Sequence, residues 1–105
     1  MVTIALGIMI TTAQRIPRRT VREYLGLVSG EALDNLQYPQ GHSIGEFGTL
    51  EERFAGDGAL QWVLREMAQR ASERGATVII GVDIDRVAIG HGALLVSATG
   101  TAARL

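Results

Sequence analysis

The stretch Gly75-Ala76-Thr77-Val78-Ile79-Ile80-Gly81-Val82-Asp83-Ile84-Asp85 decides how this chain is read. It carries the signature of a helix end running into a buried strand. Gly75 has no Cβ, so it can take the left-handed conformation that closes a helix. Val78, Ile80, Val82 and Ile84 then alternate, which predicts one oily face of an extended segment. Thr77, Ile79, Gly81, Asp83 and Asp85 fall on the opposite face. One strand is thus expected to turn one side to a core and an acidic side to something else.

Immediately upstream, residues 58–74 are predicted to be helical, with Asp57 as the N-cap. Leu60, Val63, Leu64, Met67, Ala68 and Ala71 share one face of that helix. Arg65, Glu66, Gln69 and Glu73 lie opposite, and Glu66 is placed to pair with Arg70 one turn on. Trp62 also lands on the polar face, either partly covered by Arg side chains or serving as a subunit contact. Before it, Thr49 and Glu52 have capping-box spacing for a short helix ending at Gly56. Downstream, Gly90 and Gly92 predict a turn into a last strand over 93–102. Leu94, Val96 and Ala98 form its oily face, and Leu95, Ser97, Thr99 and Thr101 the other. The last two strands are close enough for a hairpin, so Asp83 and Asp85 are expected to share a face with Ser97, Thr99 and Thr101.

Nearer the start, Val2, Ile4, Leu6, Ile8 and Ile10 alternate with Thr3, Ala5, Gly7, Met9 and Thr11. This predicts a first strand over 2–12. Pro17 breaks the loop that follows, which carries Arg15, Arg18 and Arg19. This basic cluster reads as a solvated turn or as a contact for phosphate or an acidic partner. Residues 20–31 read as a second strand, with Gly26 marking a bulge or a close backbone approach. Residues 32–48 show no period, and a loop this long is expected to be functional, interfacial or mobile. The predicted architecture is a two-layer α+β domain spanning 1–105: strand, strand, one main helix, strand, strand, with antiparallel pairing in a sheet of about four strands. One helix cannot cover both faces of such a sheet. The uncovered face, expected to include Ile79 and Leu95, points to another subunit as its second cover.

Composition narrows the function. The 105 residues carry ten basic and eleven acidic side chains, a net charge of −1, without the basic field of a nucleic-acid binder. Every basic residue is Arg, which excludes a Schiff-base lysine. There is no Cys, which excludes disulfides, thiolate metal sites and cysteine nucleophiles. The apolar first ten residues lack a basic leader and a cleavage site. They are also shorter than the roughly 20 residues needed to span a bilayer. A cytoplasmic protein, not bound to membrane or nucleic acid, is the expectation.

Three motifs resemble one family. They are Val21-Arg22-Glu23-Tyr24-Leu25-Gly26-Leu27-Val28-Ser29-Gly30-Glu31-Ala32, the stretch from Gly75 to Asp85, and Val96-Ser97-Ala98-Thr99-Gly100-Thr101-Ala102. In order and spacing they are similar to the YbjQ-like family, small bacterial proteins of largely unknown function that often bear a heavy-metal-binding label. The resemblance implies a dodecin-like subunit assembled into a ring, expected as a homopentamer. The chain departs from the family in two places. The segment Phe54-Ala55-Gly56-Asp57-Gly58 is shorter than the family's Gly-Gly-Arg-type turn, and the loop over 33–48 diverges.

Three chemistries can be weighed. Asp83 and Asp85 project from one side of a strand, with His91 just beyond it and His42 in the long loop. Carboxylates and imidazoles could hold a hard or borderline divalent ion, whereas soft heavy metals favour the absent Cys. Gly81, Ser97, Thr99 and Thr101 would form a smooth polar surface, with Arg22, Glu31 and Asp83 as charged groups, suited to a small ligand or an intersubunit contact. Ser43 beside His42 suggests a hydrolytic pair, but adjacent loop residues rarely hold triad geometry and no nucleophile elbow is present. The expectation is a non-enzymatic, ring-forming binding or scaffold protein of unknown ligand. Divalent or heavy-metal binding is the alternative.

Overall fold

The computed structural model describes residues 1–35, 58–89 and 93–105. The capping box at Thr49 and Glu52, the Asp57 cap, and His42, Ser43 and His91 lie outside the described residues. The strands are β1 (Val2–Ala5), β2 (Ile8–Thr11), β3 (Glu23–Asn35), β4 (Val78–Ala88) and β5 (Ala93–Arg104), and the helix α1 is Gly58–Glu73. The sheet order is β1-β2-β4-β5-β3. The α+β reading with one main helix holds, with differences in detail. The sheet has five strands and is mixed, because β2 pairs with β4 in parallel through Met9↔Val78 and Ile10↔Ile79. Residues 32–35, expected in a loop, extend β3.

The expected first strand is a hairpin. Leu6 and Gly7 both have positive φ, 52° and 77°, the conformation of a two-residue turn whose twist matches its strands. Cross-strand partners share a face, so Val2 and Ile4 stand with Thr11 and Met9. Ile8 and Ile10 stand on the other side, beneath α1. Val2 and Ile4 are therefore 70% and 71% exposed, while Ile8 and Ile10 are buried.

A bulge at Gly81 divides β4. Ile80 pairs with Thr101, but the next pair is Asp83 with Thr99, so two residues oppose one and the side-chain alternation reverses. Gly81 has φ +62° and its amide donates to the Ala13 carbonyl at 2.8 Å. The expected single oily row is therefore split. Ile79, Val82 and Ile84 join the core under α1, whereas Val78 and Ile80 form a second cluster on the opposite face. Ile79, expected on the uncovered face, is fully buried beneath the helix. Of the two readings of Gly26, the bulge is present, between Tyr24 and Gly26.

The helix buries Ala59, Val63, Leu64, Met67, Ala68 and Ala71, the expected stripe with Ala59 in place of the half-buried Leu60. Gly75 (φ +80°) closes it as expected. The Ala76 amide reaches the Ala71 carbonyl and the Gly75 amide the Ser72 carbonyl, both at 3.0 Å, which is the Schellman pattern. Gly30 lets α1 sit close on the sheet, since a Cβ there would lie 2.7 Å from the Val63 carbonyl oxygen.

The helix also seals the sheet edge. β3 is terminal in the sheet, and an open edge invites another strand. Glu66 Oε1 accepts from the Glu31 amide at 2.9 Å, and Arg70 Nη1 donates to the Ser29 carbonyl at 2.6 Å. Arg74 Nη1 donates to the Leu25 and Leu27 carbonyls at 3.1 and 2.8 Å. Spaced four residues apart, these side chains follow the strand edge along one helical stripe. On the face away from α1, residues 12–22 form an arm. Ile16 and Val21 pack with Met9 and Leu105 on Val78, Ile80 and Ala103.

Two outcomes are expected. Gly81→Ala places a Cβ about 3.0 Å from the Gln14 side chain and holds Ala in the left-handed region at a cost of about 1–2 kcal/mol. At fixed protein concentration, Tm should fall by roughly 5–10 °C; an unchanged melting curve would contradict the bulge. Glu66→Ala removes the acceptor for the Glu31 amide, and a charge-assisted bond of this kind contributes about 1.5 kcal/mol. Hydrogen exchange at Glu31 should then accelerate about tenfold, while the amide of Ile79 keeps its rate.

Candidate functional site: the open sheet face

Beyond the arm, the face opposite α1 has no cover among the described residues. Strand register arranges its side chains in rows across three strands. Ser29, Thr99 and Asp83 form one row, and Glu31, Ser97 and Asp85 form the next. Leu33, Leu95 and Val87 make an apolar row on the far side, and Leu27 flanks the acidic rows on the near side next to Thr101. Leu27 is 72% exposed, Leu33 59% and Val87 52%. The Gly81 bulge produces this arrangement, because without it Asp83 and Asp85 would point into the helical core.

The structure brings together Glu31, Asp83, Asp85, Ser97 and Thr99 from the expected set, with Thr101 one row away. Gly81 takes a different part: it sets the bulge and meets Gln14 and the Ala13 carbonyl. Arg22 stands apart, before β3, where its amide donates to the Arg104 carbonyl at 2.7 Å. Trp62 is 60% exposed on the outer side of α1. Leu95 lies on the open face as expected, and Thr101 is half-buried.

At the edge of this face is a groove of about 370 Å³ lined by Ser29, Gly30, Glu31, Glu66, Arg70, Ser97, Ala98 and Thr99. Hydroxyls, two carboxylates and a guanidinium there can orient a polar group. Arg70 is half-committed, since it also meets Glu66 at 3.4 Å. From sequence spacing, Glu66 and Arg70 are expected only to pair with each other on the polar side of the helix. Their contact with the β3 backbone is a tertiary feature, and the four-residue spacing through Arg74 is its trace in the sequence.

The described residues offer a metal part of a site on this face. Among the described residues no three His, Cys, Asp or Glu side chains converge. Asp83 and Asp85 supply two oxygen-bearing groups, and the third expected ligand, His91, is outside the described residues. Among the described residues, no helix is long and apolar enough to cross a membrane.

Comparison with known proteins places the chain. Residues 8–105 match the YbjQ family model, described as "Putative heavy-metal-binding". A UPF0145 protein of Acetivibrio thermocellus is 38% identical over 101 residues, covering 90% of this chain and 95% of the relative. UPF0145 protein GK1405 of Geobacillus kaustophilus is 35% identical, covering 92% and 97%. Among solved structures, a protein of unknown function in the DUF74 family from Pediococcus pentosaceus superposes with a TM-score of 0.51 at 18% identity, covering 94% of this chain and 98% of that one. That likeness supports the fold, and the sequence matches support the lineage: the chain belongs to the YbjQ-like UPF0145 family, whose function is uncharacterised.

Proposed function

We propose that this protein is a non-enzymatic subunit of a closed homo-oligomeric ring that binds a small polar ligand or acts as a scaffold at its subunit boundaries. The observation that carries this reading is the apolar surface left on one face of the sheet. Val2 and Ile4 are exposed at the β1 edge, and Leu27 and Leu33 on β3 at the other. Monomeric proteins seldom expose contiguous apolar patches beyond a few hundred Å². Two unlike patches at opposite edges favour head-to-tail contact, which closes into a ring when the rotation permits. The number five rests on the family resemblance. Trp62, exposed on α1, is a candidate anchor for the same assembly.

Metal binding is the second reading, favoured by the description of the family model. Asp83 and Asp85 would be its protein ligands. The absence of Cys argues for a hard or borderline ion over a soft one.

Native mass spectrometry of untagged protein, without added metal or chelator, separates these readings. The expected result is a pentameric mass without a metal adduct, and dispersal of that mass in Trp62→Ala. A monomer at tens of micromolar would overturn the ring. A stoichiometric metal adduct that disappears in the Asp83→Asn, Asp85→Asn variant, with the assembly intact, would establish the metal reading instead.

A further inference from the structure

We propose that the acidic rows of the open sheet face receive the arginine-bearing arm of a neighbouring copy. This rests on the ring reading and assigns the two surfaces that join. Occupant and site are both on the chain, and each is unsatisfied where it stands.

Arg15, Arg18 and Arg19 are exposed on the arm and pair with no described residue. Their backbone is nonetheless held in place. Ile16 and Val21 anchor it to Val78, Ile80 and Ala103. The Arg19 amide closes a turn on the Ile16 carbonyl at 3.2 Å, and the Ala13 carbonyl is fixed by the Gly81 amide at 2.8 Å. Three guanidiniums are thus displayed from an ordered segment, which lowers the ordering cost of docking.

Asp83 and Asp85 are exposed and likewise pair with no described residue. They lie past the bulge, on the part of β4 that the arm leaves open. Glu31 joins them across Ser97, about 10 Å from Asp85 at two strand spacings. Leu27 on one side and Leu33, Leu95 and Val87 on the other border the acids. An apolar border excludes water around charge pairs and strengthens them.

Arm and acidic rows occupy the same side of the sheet yet form no ion pair within the chain among the described residues. Contact between copies satisfies both. With ten basic and eleven acidic residues, no large net charge opposes the approach of identical chains. Because the two surfaces differ, the contact is head-to-tail, the kind a ring requires. A second copy fits better than nucleic acid, which the acidic face would repel, and better than a bare cation, for which no third ligand converges among the described residues.

The test reverses charge on each side separately and then on both. One variant carries Asp83→Arg and Asp85→Arg, a second Arg15→Glu, Arg18→Glu and Arg19→Glu, and a third all five changes. Molar mass is measured by sedimentation in 50 mM salt, with circular dichroism to check folding. The proposal expects an assembled wild type, loss of assembly in each one-sided variant, and recovery in the combined chain. A milder pair, Asp83→Asn with Asp85→Asn, should stay folded and weaken subunit association at least tenfold. That variant should also lose most of the salt dependence of the wild type. An assembled wild type whose mass ignores both one-sided reversals overturns this docking and leaves the ring reading standing. A monomeric wild type overturns both. Folded one-sided variants that dissociate without recovery in the combined chain, and a divalent adduct on the aspartates with mass unaffected by their replacement, also overturn it.

Discussion

The amide of Gly81 donates to the Ala13 carbonyl rather than to β5, and the rest of the structure depends on that displaced bond. A strand with strict alternation would place Val78, Ile80, Val82 and Ile84 on one side. The inserted residue exchanges the sides midway. The first half of β4 then supplies an apolar patch for the arm, and the second half supplies Val82 and Ile84 to the helical core. Asp83 and Asp85 reach the outer face only because of this exchange. The same hydrogen bond fastens the arm to the bulge, so fold, arm position and acidic face are linked through one backbone contact.

The two sheet edges are treated unequally. The β3 edge is sealed by Glu66 and Arg70 of α1 and by Arg74 just past its end, which take up an amide and three carbonyls of the strand. As exposed ion pairs these residues would contribute little. Their bonds to the backbone matter more, because they remove a template for uncontrolled strand addition. The clamp closes strand addition at β3, whereas β1, the other terminal strand, carries no such clamp among the described residues.

Much of the fold was legible in the sequence. The stripe from Val63 to Ala71 and the closure at Gly75 follow from local spacing and from the absence of a Cβ, so they needed no tertiary information. The outward set of β5, Ser97, Thr99 and Thr101, was equally legible because β5 runs without a bulge. The hairpin at Leu6 and Gly7 was hidden, since a two-residue turn keeps alternation apparently continuous and Leu is an unusual residue for positive φ. The parity change at Gly81 was hidden too: a glycine can mark a bulge, but pattern alone does not reveal which glycine shifts the register. The helix clamp was out of reach, because its partners are main-chain atoms of a strand 35 to 49 residues away in sequence.

The central claim is that the outer face of the sheet is covered by another copy. Val87 sits on that face and is half exposed in the isolated chain, and the chain has no cysteine of its own. A single Val87→Cys substitution therefore gives a clean thiol probe. The most direct measurement is its maleimide labelling rate in the assembled protein and in a mass-verified monomer prepared by dilution. The account predicts labelling at least tenfold slower in the assembly. Equal, rapid labelling in both states would show that the face stays open and would contradict it.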